Sequence, residues 1–182
     1  MRVKKYFQVM KRGYYYFLER INSARYLVHY PQYLNSIGID IDREHGAYIA
    51  SSAYFDGSDY SLIHIGKGTV ISREVLFLTH DWSIWKAMRN LGYEKEAFFR
   101  KPIVIGQNSF IGARVSILPG TDIGENCIVG AGAIVKGTFP PNSIIGGNPA
   151  TVIGNIESFV QKHTEKGDWI EYNGDLKTVK SR

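Results

Sequence analysis

Of the five histidines in this 182-residue chain, His80 is the one whose neighbours suit proton transfer. It sits in FLTHDWSIW (Phe77–Trp85), followed at once by Asp81 and then by Trp82 and Trp85, with Tyr93 further on. An imidazole ionises near neutral pH, so a histidine held beside a hydroxyl can take its proton. Asp81 could steady the ring or simply end a strand. Asp56 and Asp59, in FDGSDYS, could bind substrate hydroxyls, orient the imidazole, or be solvated loop carboxylates. Ser72 and Arg73, in ISRE, precede His80 by about one face of the repeat described next, and could line the acceptor side or face solvent. Trp82, Trp85 and Tyr93 offer flat apolar faces on which a sugar could stack, or a cluster that packs on itself. The chemistry suggested is deprotonation of a hydroxyl beside an aromatic wall.

What must position these residues is a repeat. From Ile105 the chain reads in sixes: IGQNSF, IGARVS, ILPGTD, IGENCI, VGAGAI, VKGTFP. Position one is always Ile or Val, position two is usually Gly, and position five is mostly small. IGKGTV, ISREVL and FLTHDW, from Ile65, obey the same period, and His80 falls at position four of the third. Six residues are too few for a helix and its return, but suit one short strand and a corner, each unit stacking on the next to bury anything. Positions one and five are expected to point inward, and glycine near the corner to permit unusual backbone angles. Three such faces close a triangular coil, so the expected fold is an all-β solenoid, a parallel β-helix. Cys127 occupies an inward fifth position and reads as core packing, not as a nucleophile.

Composition narrows the function classes. Residues 1–36 hold seven basic side chains (Arg2, Lys4, Lys5, Lys11, Arg12, Arg20, Arg25) and one acidic (Glu19), leaving the rest of this +5 chain close to neutral. With no nucleic-acid motif in a neutral body, nucleic acid is not an expected partner. No apolar run reaches the ~18 residues a membrane span needs, and the start lacks the apolar core of a signal peptide. A single cysteine excludes an intrachain disulfide and a multi-cysteine metal site, so a reducing cytoplasm is the expected compartment.

The flanks read as helix. Val3, Phe7, Met10, Tyr14, Phe17, Ile21, Ala24 and Val28 follow a 3–4 spacing, predicting one or two amphipathic helices interrupted near Gly13. This segment could cap the coil or a neighbouring subunit, or lie on the inner face of the membrane through residues 1–28. Ile156–Lys166 reads as a short C-terminal helix, with a polar tail disordered beyond Tyr172. The expected organisation is a helical, basic segment 1–36, a β-helix 37–154 with a loop insertion 81–101, and a helix and tail 155–182.

The hexads, together with GAGAIVKGTFPPNSIIGGNPATVIG (Gly130–Gly154), closely resemble the hexapeptide-repeat acyltransferases, nearest the maltose/galactoside and polysaccharide O-acetyltransferase branch. The resemblance implies a left-handed β-helix, a homotrimer with sites in the grooves between subunits, acetyl-CoA as donor, no metal, and a sugar or glycan acceptor. It makes His80 the base, because the family's catalytic histidine also follows a repeat block and precedes a loop. The residues themselves, not the resemblance, put forward Asp56, Asp59, Ser72, Arg73, Asp81, Trp82 and Trp85 for the acceptor side. On the donor side the resemblance implies backbone contacts at Ala113 and Ala131, an aromatic at Phe110 near the thioester, Lys136 on the pantetheine or nucleotide, and Asn148 and Pro149 beside the nucleotide.

The chain departs from the family where basic residues usually follow GNPA; here Thr151 and Gly154 stand instead. Lys162, Lys166 or a tail lysine could replace them, or donor binding is weaker. Other acceptors (serine, an antibiotic, a nucleotide-linked amino sugar) stay open. So does a non-catalytic scaffold. A zinc carbonic anhydrase would need a third histidine beyond His64 and His80, and none follows before His163.

Overall fold

The structure is a computed structural model describing residues 2–57 and 59–170, with the side chains of residues 2–9 and of Arg12 excepted. The tail beyond Tyr172 lies outside the described residues.

The chain opens with helices α1 (Arg2–Ile21) and α2 (Ser23–Ser36), followed by strands β1 (Asp40–Ile41), β2 (Tyr54–Phe55), β3 (Ile63–Ile65), β4 (Val70–Ile71) and β5 (Leu76–Phe77). The insertion holds β6 (His80–Asp81), α3 (Ser83–Asn90) and β7 (Phe99–Arg100). Then come β8 (Ile103–Ile105), β9 (Phe110–Ile111), β10 (Ser116–Ile117), β11 (Asp122–Ile123), β12 (Ile128–Val129), β13 (Ile134–Val135) and β14 (Thr138–Phe139). The chain closes with β15 (Ser143–Gly147), β16 (Ala150–Asn155) and α4 (Ile156–Lys166).

These short strands form three parallel sheets: β1-β3-β8-β11-β14, β4-β9-β12-β15, and β2-β5-β10-β13. From β3 onward the chain visits the first, second and third sheet in turn, so three hexads make one circuit. Ile105 pairs with Ile123, Ile111 with Val129 and Ile117 with Val135. The insertion does not disturb this phase: Ile65 still pairs with Ile105 and Phe77 with Ile117. β16 turns back antiparallel on β15 and ends the second sheet.

Burial explains the period. Every position-one residue from Ile65 to Val135 is buried, as is every position-five residue from Thr69 to Phe139 except Asp81. The position-five hydroxyls and thiol bond to backbone of the next circuit, as Thr69 Oγ1 does to the Gly106 carbonyl at 2.8 Å, so burying them is not penalised.

The position-two glycines have a different reason from the one their sequence suggests. Gly66, Gly106, Gly112 and Gly124 have no positive φ; a Cβ on any of them would come within 2.3–2.6 Å of the backbone one circuit on. Left-handed backbone falls instead at position four, at Gly68, Glu74, Asn108, Arg114, Gly120, Asn126 and Gly132. His80 and Thr138 are the position-four residues outside this rule; at His80 the chain stays extended as β6 and leaves the repeat. Gly106→Ala is therefore expected to cost about 3 kcal/mol, lowering Tm by roughly 6–12 °C. Gly13→Ala, in an open helical position, should hold or raise Tm, and thermal melts compare the two.

The N-terminal helices correct the expected stripe. α1 runs through Gly13 unbroken, and the break comes at Asn22, whose side chain caps α2 by accepting from Arg25 N at 3.0 Å. Met10, Tyr14, Phe17, Ile21 and Val28 face solvent, whereas Leu18, Tyr26, Tyr30, Tyr33 and Leu34 are buried against the coil. A 3–4 spacing says which residues share a face; it does not say which face is covered, and the tyrosines carry the competing, buried one. Their rings stack on one another, Tyr26 on Tyr30 at 4.9 Å.

Candidate active site

His80 stands at the corner where the chain leaves the third sheet for the first, and Asp56 stands at the same corner one circuit earlier, just past β2. Phe55 pairs with Phe77, and Asp56 N bonds to the Phe77 carbonyl at 3.0 Å, so the ladder itself sets the two residues side by side. The Asp56 carboxylate is buried and accepts from Thr79 N at 3.1 Å and Thr79 Oγ1 at 2.9 Å. The same oxygen takes the His80 Nδ1 contact. An acceptor-only carboxylate fixes the tautomer: Nδ1 carries the proton and Nε2 carries the free lone pair. The His80 side chain is 32% exposed against 6% for Asp56, so the ring is gripped on one edge and open on the other. This arrangement can take a proton from a group docked at Nε2 and share the resulting charge with Asp56.

The insertion is tied across the corner. His80 pairs with Arg100 where β6 meets β7, and Lys101 N bonds to the Thr79 carbonyl at 3.0 Å. Arg100 pairs with Asp59, which also caps the following turn by accepting from Ser61 N at 3.1 Å. Those Ser61 bonds, and then Arg100, hold the Asp59 carboxyl below its usual range. Asp59 thus braces the insertion, while Asp56 orients the imidazole. Asp81 does not touch the ring: it starts α3 by accepting from Ser83 N at 2.7 Å, the main cause of its lowered pKa, with Lys136 and His80 adding to it.

Trp82, Trp85 and Phe98 gather into one wall. Trp82 stacks on Phe98 with centroids 4.6 Å apart and meets Trp85 edge-on at 6.5 Å. Trp82 and Tyr93 are exposed; Trp85 is half-buried, and its enclosed Nε1 has no hydrogen-bond partner.

The remaining site residues fall on two lines along the coil. Lys136 lies past β13 at the third-to-first corner, the line of Asp56 and His80. Ser72 and Arg73, Ala113, and Ala131 lie at the second-to-third corner in successive circuits, and Asn148 and Pro149 make the turn beyond β15. Gly132 N bonds to the Ala113 carbonyl at 2.9 Å, stacking these small residues directly. Within one chain, Ser72 and Arg73 are not brought to His80, and the Arg73 guanidinium is engaged by Tyr48, which raises its pKa. Phe110 is exposed on the outer face of the second sheet. His64 pairs with Asp40 at 2.9 Å. Among the described residues no group of three or more His, Cys, Asp or Glu is placed to hold a metal ion.

Sequence reasoning did not single out Thr79, Arg100 or Phe98. Thr79 adjoins His80, and Arg100 closes the insertion, so proximity to the break in the repeat was their only signal. A cavity of about 330 Å³ lies between β16 and α4, lined by Ile144, Gly154, Phe159, Lys162 and His163 among others. It brings Lys162 to the same cleft as Gly154, whereas Lys166 is not in its lining.

The family description "Hexapeptide repeat of succinyl-transferase" matches residues 102–136. Protein CapG of Staphylococcus aureus is 44% identical over 120 residues, which cover 64% of this chain and 68% of that one. An Escherichia coli K12 chain named as a lipopolysaccharide biosynthesis O-acetyl transferase, WbbJ, is 33% identical over 96 residues, 50% of this chain and 49% of that one. Further Staphylococcus aureus relatives, named as acetyltransferases, are 40% identical over 83 residues, and the chain spans 40% of their length. Among solved structures, a galactoside acetyltransferase in complex with coenzyme A overlays with a TM-score of 0.48 at 21% identity, covering 90% of this chain and 92% of that one.

Proposed function

Because the chain belongs to the hexapeptide-repeat acyltransferase family, we propose that it is an O-acetyltransferase moving the acetyl group of acetyl-CoA to a sugar hydroxyl, with His80 as general base. The observation that carries this reading is the Asp56–His80 pair at the break in the repeat, held at Nδ1 with the side chain partly exposed. In the proposed step, Nε2 takes the hydroxyl proton as the sugar oxygen attacks the thioester carbonyl. The tetrahedral intermediate collapses with loss of the thiolate, which recovers the proton from His80. No acyl-enzyme is formed: Cys127 is buried in the core, and burial raises its pKa.

The two lines of site residues suggest how the site is completed. His80, Asp56 and Lys136 occupy one corner, and Ala113 and Ala131 the other, with the whole third sheet between them. We take the coil to be the left-handed β-helix of the family, and the working assembly to be a homotrimer in which the histidine line of one copy faces the alanine line of the next. A glycan acceptor fits the exposed aromatic wall and the name borne by the Escherichia coli relative; a cytoplasmic site of action fits an acetyl-CoA donor. The test is thiol release from acetyl-CoA over a panel of sugar, serine and amino-sugar acceptors. Release driven by hydroxylated sugars is expected, and release driven by serine or an amine would replace the sugar.

Lys162 is proposed to supply the positive charge missing at Thr151 and Gly154, since it shares a cleft with Gly154. Lys162→Ala should then raise the Kd for coenzyme A about five- to tenfold. Binding of 3′-dephospho-coenzyme A, measured in the same calorimeter, should change far less.

A further inference from the structure

The outer face of α1 is apolar over most of its described length. Met10, Tyr14, Phe17 and Ile21 follow at intervals of four, three and four, which stacks them on one side of the helix. They are 62%, 50%, 61% and 63% exposed. Single exposed apolar side chains are ordinary on a protein surface, but a continuous row of them marks an interaction face. The opposite side of α1 holds the helix to the body through Leu18, which is buried, and Tyr15, which stacks on Tyr33 at 4.9 Å.

The segment that carries this row is strongly basic in sequence. Residues 1–36 carry seven cations and a single carboxylate, Glu19. That carboxylate is turned inward, where it accepts from the Tyr48 hydroxyl and from both the amide and the hydroxyl of Ser51. No acidic residue of this segment is left to offset the cations. Arg20 lies over the Tyr16 ring at 3.6 Å, which leaves its guanidinium at the surface beside Phe17 and Ile21. An apolar row on a basic helix whose one carboxylate is turned inward complements one kind of surface, an apolar layer beneath a sheet of negative charge. A second copy of this chain fits less well, because it would bring two strongly positive segments together.

We propose that the outer face of α1 docks on an anionic phospholipid bilayer, lying in its interface with Met10, Tyr14, Phe17 and Ile21 toward the acyl chains. Arg20, beside Phe17 and Ile21, then sits at the level of the head groups. No helix of the described residues is long and apolar enough to cross a membrane, and the docking needs none to do so. It is independent of the group the coil transfers, so either proposal stands if the other fails.

Co-sedimentation of the full chain with vesicles tests it, using phosphatidylcholine containing phosphatidylglycerol, and phosphatidylcholine alone. The bound fraction should be much greater on the anionic vesicles and fall as salt is raised. The double variant Phe17→Ser/Ile21→Ser should weaken binding about tenfold or more with Tm and assembled mass unchanged. Equal binding to both vesicle types, or no binding to either, would overturn the proposal. So would a double variant that binds like the wild type, or one whose assembled mass falls, which would make the row a subunit contact.

Discussion

Replacing His80 with alanine is expected to lower kcat/KM for acetyl transfer by roughly a thousandfold, about 4 kcal/mol of transition-state stabilisation, with acetyl-CoA affinity nearly unchanged. The split follows from where the ring stands. Its Nδ1 is held by Asp56, which leaves Nε2 of the partly exposed ring to move the acceptor's proton. Stability should change little. His80 is partly exposed and extended, and the neighbouring core residues Phe77 and Thr79 keep their own partners. Equilibrium donor binding and steady-state kinetics on the same preparation separate the two quantities. An equal loss of donor affinity would move His80 from proton transfer to donor binding.

Asp56→Asn carries the second large effect, through the negative charge it removes from beside the ring. The carboxylate now accepts two bonds from Thr79 and one from His80 Nδ1. All three bonds end on one carboxylate oxygen, so an asparagine whose oxygen stays on Thr79 still accepts from Nδ1, but it carries no charge to offset the imidazolium that forms as the proton is taken. kcat is expected to fall about a hundredfold or more while the fold survives. Asp56→Ala removes the buried acceptor of both Thr79 bonds, so it should also cost about 1–3 kcal/mol of stability. Thermal melts beside kcat distinguish a positioning role, in which Asn loses activity at nearly constant Tm, from a structural one, in which activity and Tm fall together.

The repeat was legible because its cause is local. Each branched residue at position one and each small residue at position five must enter the same narrow core, so the sequence repeats the demand every six residues. The break at His80 was legible for the same reason. The role of Gly106 was not: its constraint is the backbone of Gly124 and Glu125 one circuit on, and nothing in a local window describes that neighbour. Asp56 could be named as a candidate, but its choice over Asp59 and Asp81 as the imidazole's partner depends on the pairing of β2 with β5. Two-residue strands carry no signal for that pairing. The face of α1 was misjudged because two stripes compete there. Met10, Phe17 and Ile21 are the more hydrophobic by type, yet Tyr26, Tyr30 and Tyr33 pack the interface, with their hydroxyls as polar handles. Lys162 could be suspected from the sequence only as one of several lysines; the turn of β16 into α4 selects it.

The most direct test of the acyltransferase reading is a calorimetric titration of the folded 182-residue chain with acetyl-CoA. Saturable binding near one donor per chain is predicted. No detectable heat even at millimolar donor, from protein that melts cooperatively, would contradict it. Thr151 and Gly154 would then mark a lost donor site, and the coil would be a scaffold that keeps its histidine without the reaction.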